Sequence, residues 1–159
     1  AALVLELVEE RLARSPDRLR PPTMALAALG VRIALDDFGE GATSLSQFGR
    51  LPLHQVKLAR VFARNVGQDG ERRAVLAAVV SLADEMELEV VVEGVESEAQ
   101  VAELRGLGAE LAQGFWFSPP RRPSELVLDG YSPRALPGLG DPSMVREFMR
   151  QIGLPARIM

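Results

Sequence analysis

Two adjacent aspartates, Asp36 and Asp37, follow the apolar run Ile33-Ala34-Leu35 and precede Phe38 and Gly39. Neighbouring carboxylates repel, and each loses hydration where it is partly buried. A cation bound at the pair offsets both effects. Polar residues recur at or near the ends of other strand-like segments: Glu6 and Glu9 in 3–9, Lys57 in 55–58, Glu93 closing 89–93 and Gln113 closing 109–113. Glycine follows three of these ends closely, at Gly39, Gly94 and Gly114. An oxygen-rich set of this kind suits Mg²⁺, Mn²⁺ or Ca²⁺. Two such cations activate a water and hold a phosphodiester.

Taken singly, each residue has an ordinary structural reading. Asp37 caps a helix or turn, Glu9 is a solvated strand end, and Lys57 is an edge-strand charge. Glu93 and Glu96 flank a turn, His54 lies in a surface loop, and Phe115-Trp116-Phe117 forms wall and core packing. What raises the set above these readings is its repeated placement at strand ends.

The elements that position these residues alternate along the chain. A strand over 3–9 is followed by a helix-start signal at Arg14-Ser15-Pro16-Asp17, interrupted by Pro21-Pro22. A short helix over 23–29 stops at Gly30. A strand over 31–35 runs into the aspartate pair, and 44–48 forms a helical turn before the strand at 55–58. The spacing of Val75, Leu76, Val79, Leu82, Ala83 and Met86 predicts a helix over 71–86. A strand over 89–93, a helix over 97–107 opened by Ser97 with Gln100, and a strand over 109–113 complete the pattern. Alternating helices and buried strands imply an α/β fold with a parallel sheet, whose strand C-termini form the ligand face.

The 159 residues suffice for one domain with a real core. Residues 1–128 read as the α/β unit, 129–142 as a linker rich in Gly, Pro and Ser, and 143–159 as a final helix and tail. The net charge of -4 argues against binding a nucleic-acid polymer, which needs a basic surface. The absence of cysteine excludes disulfides and thiolate metal sites and fits the cytoplasm. No apolar run reaches the roughly 18 residues of a membrane span. The start at Ala1, inside an apolar run, suggests a piece of a longer protein.

These segments together resemble the EAL domain, a phosphodiesterase fold acting on the bacterial messenger cyclic di-GMP. The resemblance rests on Leu5 to Glu9, Leu29 to Gly39, Leu51-Pro52-Leu53 through Lys57, Val92 to Glu96, and Gln113 to Pro119, in the family's order. It implies a (β/α) barrel of the TIM type, partial here, with five strands of about eight. It further implies Glu6 and Asp36 as ligands of one metal, Asp37 serving a second, and Mg²⁺ or Mn²⁺ as the cofactor. Lys57 would hold the attacking water or the phosphate charge, and Glu93 would act as second-metal ligand or general base. Glu9 would hold the loop after the aspartates, with Gln113 and Glu96 supporting the site.

The chain also departs from the family pattern. The Glu-Ala-Leu strand and the asparagine-bearing strand are absent, and Ala59 stands where an aspartate is usual. The loop that usually reads Gly-Thr-Gly-Tyr-Ser-Ser is Gly39-Glu40-Gly41-Ala42-Thr43-Ser44. Supporting partners of a metal are worth roughly 10–100-fold each. The expectation is a degenerate or truncated module of cyclic di-GMP signalling with little or no hydrolysis as this chain. One alternative is a fragment of an active enzyme that yields linear pGpG. Another is a structural half-barrel whose open edges pair as a homodimer or with another domain.

Overall fold

The computed structural model describes residues 3–41, 45–64, 66–67 and 70–120. The linker at 129–142 and the helix and tail at 143–159 lie outside the described residues. Five strands form one parallel sheet in chain order: β1 (Val4–Val8), β2 (Arg32–Phe38), β3 (Gln55–Leu58), β4 (Glu89–Glu93) and β5 (Leu111–Gln113). Helices α1 (Glu9–Arg14), α2 (Pro16–Ala28), α3 (Val61–Arg64), α4 (Gly70–Glu85) and α5 (Glu98–Gly106) fill the connections, with a 3-10 turn over Leu45–Arg50 before β3. The α/β reading and its strand count therefore hold.

Side chains alternate across a pleated strand, so the register sorts them onto two faces. Leu7, Ile33, Leu35, Val56, Leu58 and Val92 join Leu12, Leu76, Ala83 and Leu104 of the helices in one buried core. The other face takes Glu6, opposite Ala34, and Lys57, opposite Val91. Asp36 and Glu93 lie two residues beyond Ala34 and Val91 on that same face. Burying only one face against helices leaves the second for polar work, and the polar residues gather toward its C-terminal end.

Three elements differ from the sequence expectation. Helix α2 runs straight through Pro21 and Pro22. Two missing N–H donors are tolerated because Leu19, Thr23 and Leu26, at helical spacing, dock on the core, and the buried Thr23 hydroxyl donates to the carbonyls of Leu19 and Arg20. Strand β1 stops at Val8, and Glu9 opens α1 as a buried residue rather than a solvated strand end. In α4 the buried face is Leu76, Val79, Val80 and Ala83, while Val75 is half exposed. Helix α5 begins as predicted, with Ser97 accepting from Gln100 N and the Gln100 side chain accepting from Ser97 N.

Candidate metal centre

Strand β2 is longer than its apolar run, and the aspartates lie inside it. Successive residues of a regular strand point to opposite faces, which would separate Asp36 from Asp37. The pairing with β3 slips between Leu35 and Phe38, and Asp37 takes a left-handed angle, φ 57°. A bulge of this kind re-aims a side chain. As a result, carboxylate oxygens of Asp36, Asp37 and Glu93 lie within 4.8 Å of one another.

Lys57 sits in the central strand with its side chain only 10% exposed, so it is no edge charge. Its Nζ lies 2.8 Å from Asp36 Oδ1, 2.7 Å from Glu93 Oε1 and 2.9 Å from Glu6 Oε1. Burial by itself would lower the ammonium pKa. The ion pairs with Asp36, Glu93 and Glu6 outweigh that and hold it well above the ordinary lysine range. One ammonium faces these three carboxylates and Asp37, so negative charge is in excess. Burial, with Asp36, Glu40 and Glu93 nearby, pushes the Asp37 carboxyl above its ordinary range, against the pull of Lys57. Asp36 Oδ1 is enclosed, and although the ammonium is close, no described residue meets it at hydrogen-bonding angles. An enclosed, under-satisfied oxygen among hard carboxylate donors fits a divalent cation.

The loop that follows is fixed from below. Glu9 Oε2 accepts from Gly39 N at 2.8 Å and Gly41 N at 3.1 Å. A Cβ at Gly41 would lie 2.8 Å from Glu9 Oε1, and one at Gly39, where φ is 101°, would lie 2.2 Å from the Phe62 ring. Glycine is required at position 39, and a side chain at position 41 would displace the Glu9 carboxylate that holds the loop.

Other predicted residues fall outside the cluster. Gln113 pairs in register with Glu93 but is exposed, and Glu96 is exposed, its N–H donating to Gln100 Oε1. Phe115, Trp116 and Phe117 are 69%, 48% and 55% exposed, which overturns their assignment to core packing. They lie in a turn beyond β5, the last of the described strands. His54 is not a bare surface residue, since its Nδ1 accepts from Ile33 N at the start of β2. Ala59 is buried at 1% exposure. Arg60 and Arg64, at the same end of the sheet, carry no motif that singles them out in the sequence.

The EAL domain family model matches residues 1–120. The chain belongs to this family. It is 38% identical over 126 residues to the bifunctional diguanylate cyclase/cyclic di-GMP phosphodiesterase MucR of Pseudomonas aeruginosa, covering 79% of this chain and 18% of that protein. It is 35% identical to the cyclic di-GMP phosphodiesterase RocR of the same species, covering 81% of this chain and 33% of RocR. The solved MucR phosphodiesterase, a cyclic di-GMP complex, superposes with a TM-score of 0.74 at 37% identity, covering 79% of this chain and 51% of that one. Klebsiella pneumoniae BlrP1, solved with calcium and cyclic di-GMP, gives 0.68 at 31% identity, over 71% of this chain and 29% of BlrP1. The five strands thus correspond to part of an EAL barrel, and the chain spans well under two thirds of these relatives. No helix among the described residues is long and apolar enough to cross a membrane.

Proposed function

We propose that this chain carries one side of a cyclic di-GMP phosphodiesterase site and that the 159-residue polypeptide alone hydrolyses little or none of the nucleotide. The observation behind this reading is the convergence of Asp36, Asp37 and Glu93 around a shared space, with Lys57 bridging Glu6, Asp36 and Glu93. Asp36, Asp37 and Glu93, with Glu6 beside them, would hold Mg²⁺ or Mn²⁺. Bound there, such ions acidify a water and neutralise charge on a phosphodiester.

The remaining roles follow from this chain's own groups. Lys57 stays protonated across the working pH range, so it serves as a fixed positive charge rather than a base. It holds three carboxylates in place and lends its positive charge to the site. Glu9 keeps the Gly39–Gly41 backbone in register beneath Asp37. Gln113 and Glu96 act as supports at the rim. Weak turnover is expected because Glu6, on edge strand β1, is 49% exposed, so a substrate bound beside it is left open to solvent on that side. Ala59 offers no further carboxylate.

The strand edges favour an additional partner. Val4 and Val8 on β1 and Leu111 on β5 are exposed by 43%, 42% and 43%, and unpaired edges invite pairing with a second copy or another domain. Light scattering that finds only monomer at high concentration would overturn that. The ligand class and the lack of cysteine fit work in the cytoplasm.

The main test is thermal unfolding with Mn²⁺, followed by chromatography of cyclic di-GMP digests. Mn²⁺ should raise the melting temperature of the wild type but not of Asp36→Asn. An absent shift in the wild type would overturn the metal site, and rapid release of linear pGpG would overturn the low-activity reading.

A further inference from the structure

Beside the carboxylate centre lies a depression of about 580 Å³ lined by Gly39, Glu40, Arg60, Val61 and Arg64. Its walls come from the loop that follows Asp37 and from Arg60 and helix α3, which follow Lys57. Arg60 also packs on the segment after β4, since a Cβ at Gly94 would lie 2.5 Å from Arg60 Cβ. The backbone bond from Arg64 N to Arg60 O, 3.1 Å, sets the two arginines one helical turn apart. Like charges at that spacing repel. Both residues are exposed, and among the described residues neither guanidinium has an ion-pair or hydrogen-bond partner. The only carboxylate lining the depression is Glu40.

This repeats in the opposite sign the situation of the paired aspartates. Two exposed cations one helical turn apart, with no counterion among the described residues, offer a place for an anion between them. Guanidinium forks bind phosphate oxygens through two parallel bonds, and they need no metal to do so. We propose that Arg60 and Arg64 form a phosphate subsite at the rim of the carboxylate centre. On the nucleotide reading given above, on which this identity rests, the occupant is the phosphodiester of a cyclic dinucleotide that is not being cleaved. A cyclic dinucleotide carries two phosphates, and the acidic centre accounts for one of them. The second must leave that centre along a surface that is not acidic, and Arg60 and Arg64 supply one.

The test is calorimetric titration of the 159-residue chain with two probes: inorganic pyrophosphate in EDTA, and cyclic di-GMP in Mn²⁺. Wild type, Arg60→Ala/Arg64→Ala, the corresponding double lysine variant and Asp36→Asn are compared. Alanine at 60 keeps the Cβ that packs on Gly94, so unfolding midpoints should match the wild type. The double alanine variant should bind each probe on the order of tenfold more weakly per guanidinium removed. The lysine variant should recover only part of the loss, because it restores charge without the fork. Wild-type binding should weaken as salt rises.

Equal binding of both probes by wild type and the double alanine variant would overturn the subsite, as would no binding of either probe by the wild type. Cyclic di-GMP binding lost in Asp36→Asn but unchanged in the double alanine variant would sink this inference and leave the proposed function standing. Pyrophosphate binding lost in the double alanine variant, with no cyclic di-GMP binding by the wild type, would uphold a subsite for free phosphate and sink the nucleotide reading.

Discussion

Two acidic residues take left-handed backbone angles, Asp37 with φ 57° and Glu87 with φ 56°. They lie at opposite ends of the sheet. Glu87 stands in the turn between α4 and β4, where its N–H donates to Asp84 O and Leu88 N donates to Ala83 O. That is a helix stop of the sort usually given to glycine, and the Glu87 side chain is exposed. At Asp37 the same angle turns a carboxylate toward Asp36 and Glu93. The two residues share an angle and differ in whether the side chain is used. The electrostatics of the two ends differ in the same way. At the C-terminal end a buried lysine is crowded by acids. At the other end Arg32 and Glu89 pair at 2.7 Å with side chains 30% and 44% exposed.

The largest test of this contrast is Lys57→Met. Removing the cation from a buried cluster leaves Glu6, Asp36 and Glu93 facing one another. The expected loss at neutral pH is about 3 kcal/mol, the low end for buried pairs because Glu6 is half exposed. The folded-state lysine pKa is raised, so the wild-type contribution is complete below the unfolded value of about 10.4 and fades only as pH rises through the folded value. Urea unfolding of wild type, Lys57→Met and Lys57→Arg at pH 7 reads the charge contribution directly, because arginine keeps the charge and changes the shape. A loss in Lys57→Arg as large as that in Lys57→Met would assign Lys57 to packing rather than charge.

The sequence shows the charged end more readily than the strain that organises it. Glu6, Asp36, Lys57 and Glu93 were legible because a period of two along strands puts them on one face, and parallel topology puts their ends together. The bulge was not legible, since the run Leu35-Asp36-Asp37-Phe38 reads equally well as a strand ending at Leu35. Helix α2 was hidden by Pro21-Pro22, because local propensity cannot register the core contacts of Leu19, Thr23 and Leu26 that override it. The exposed aromatics misled in the opposite direction: apolar composition indicates a preference for burial, but no described residue covers the turn after β5.

Replacing each strained acid by glycine separates backbone from side chain. A left-handed non-glycine residue costs about 1–2 kcal/mol, and glycine gives back about 0.5–1 kcal/mol in chain entropy. Glu87→Gly should therefore stabilise the fold by roughly 0.5–1 kcal/mol. Asp37→Gly should gain at least as much at neutral pH, because the raised carboxyl pKa means that ionised Asp37 opposes folding. That extra gain should disappear as pH falls below the ordinary carboxylate range and the wild-type group protonates. Mn²⁺ then divides the two variants. A ligand bound only by the folded state raises its stability, so Glu87→Gly should keep the wild-type Mn²⁺ shift and Asp37→Gly should lose most of it. If Asp37→Gly keeps the full shift, the angle at Asp37 is a structural bulge like the one at Glu87, and the contrast between them fails.

The smallest effect belongs to the far end of the sheet. Arg32, helped by Gln55 at 3.2 Å, holds the Glu89 carboxyl below its ordinary range. A depressed folded pKa contributes stability above the unfolded value of about 4.3, and that contribution is lost as pH falls through the folded value. With both partners substantially exposed, Arg32→Ala should cost about 0.5 kcal/mol at pH 7 and nothing measurable near pH 2. About 1 M salt should remove most of that cost, because the Debye length contracts to about 3 Å, whereas the enclosed Lys57 cluster should retain most of its contribution. Unfolding curves of Arg32→Ala and Lys57→Met at low and high salt test the difference in one experiment. A salt response at Lys57 as large as that at Arg32 would mean that water reaches both clusters equally, and the enclosure on which the metal centre depends would not exist in solution.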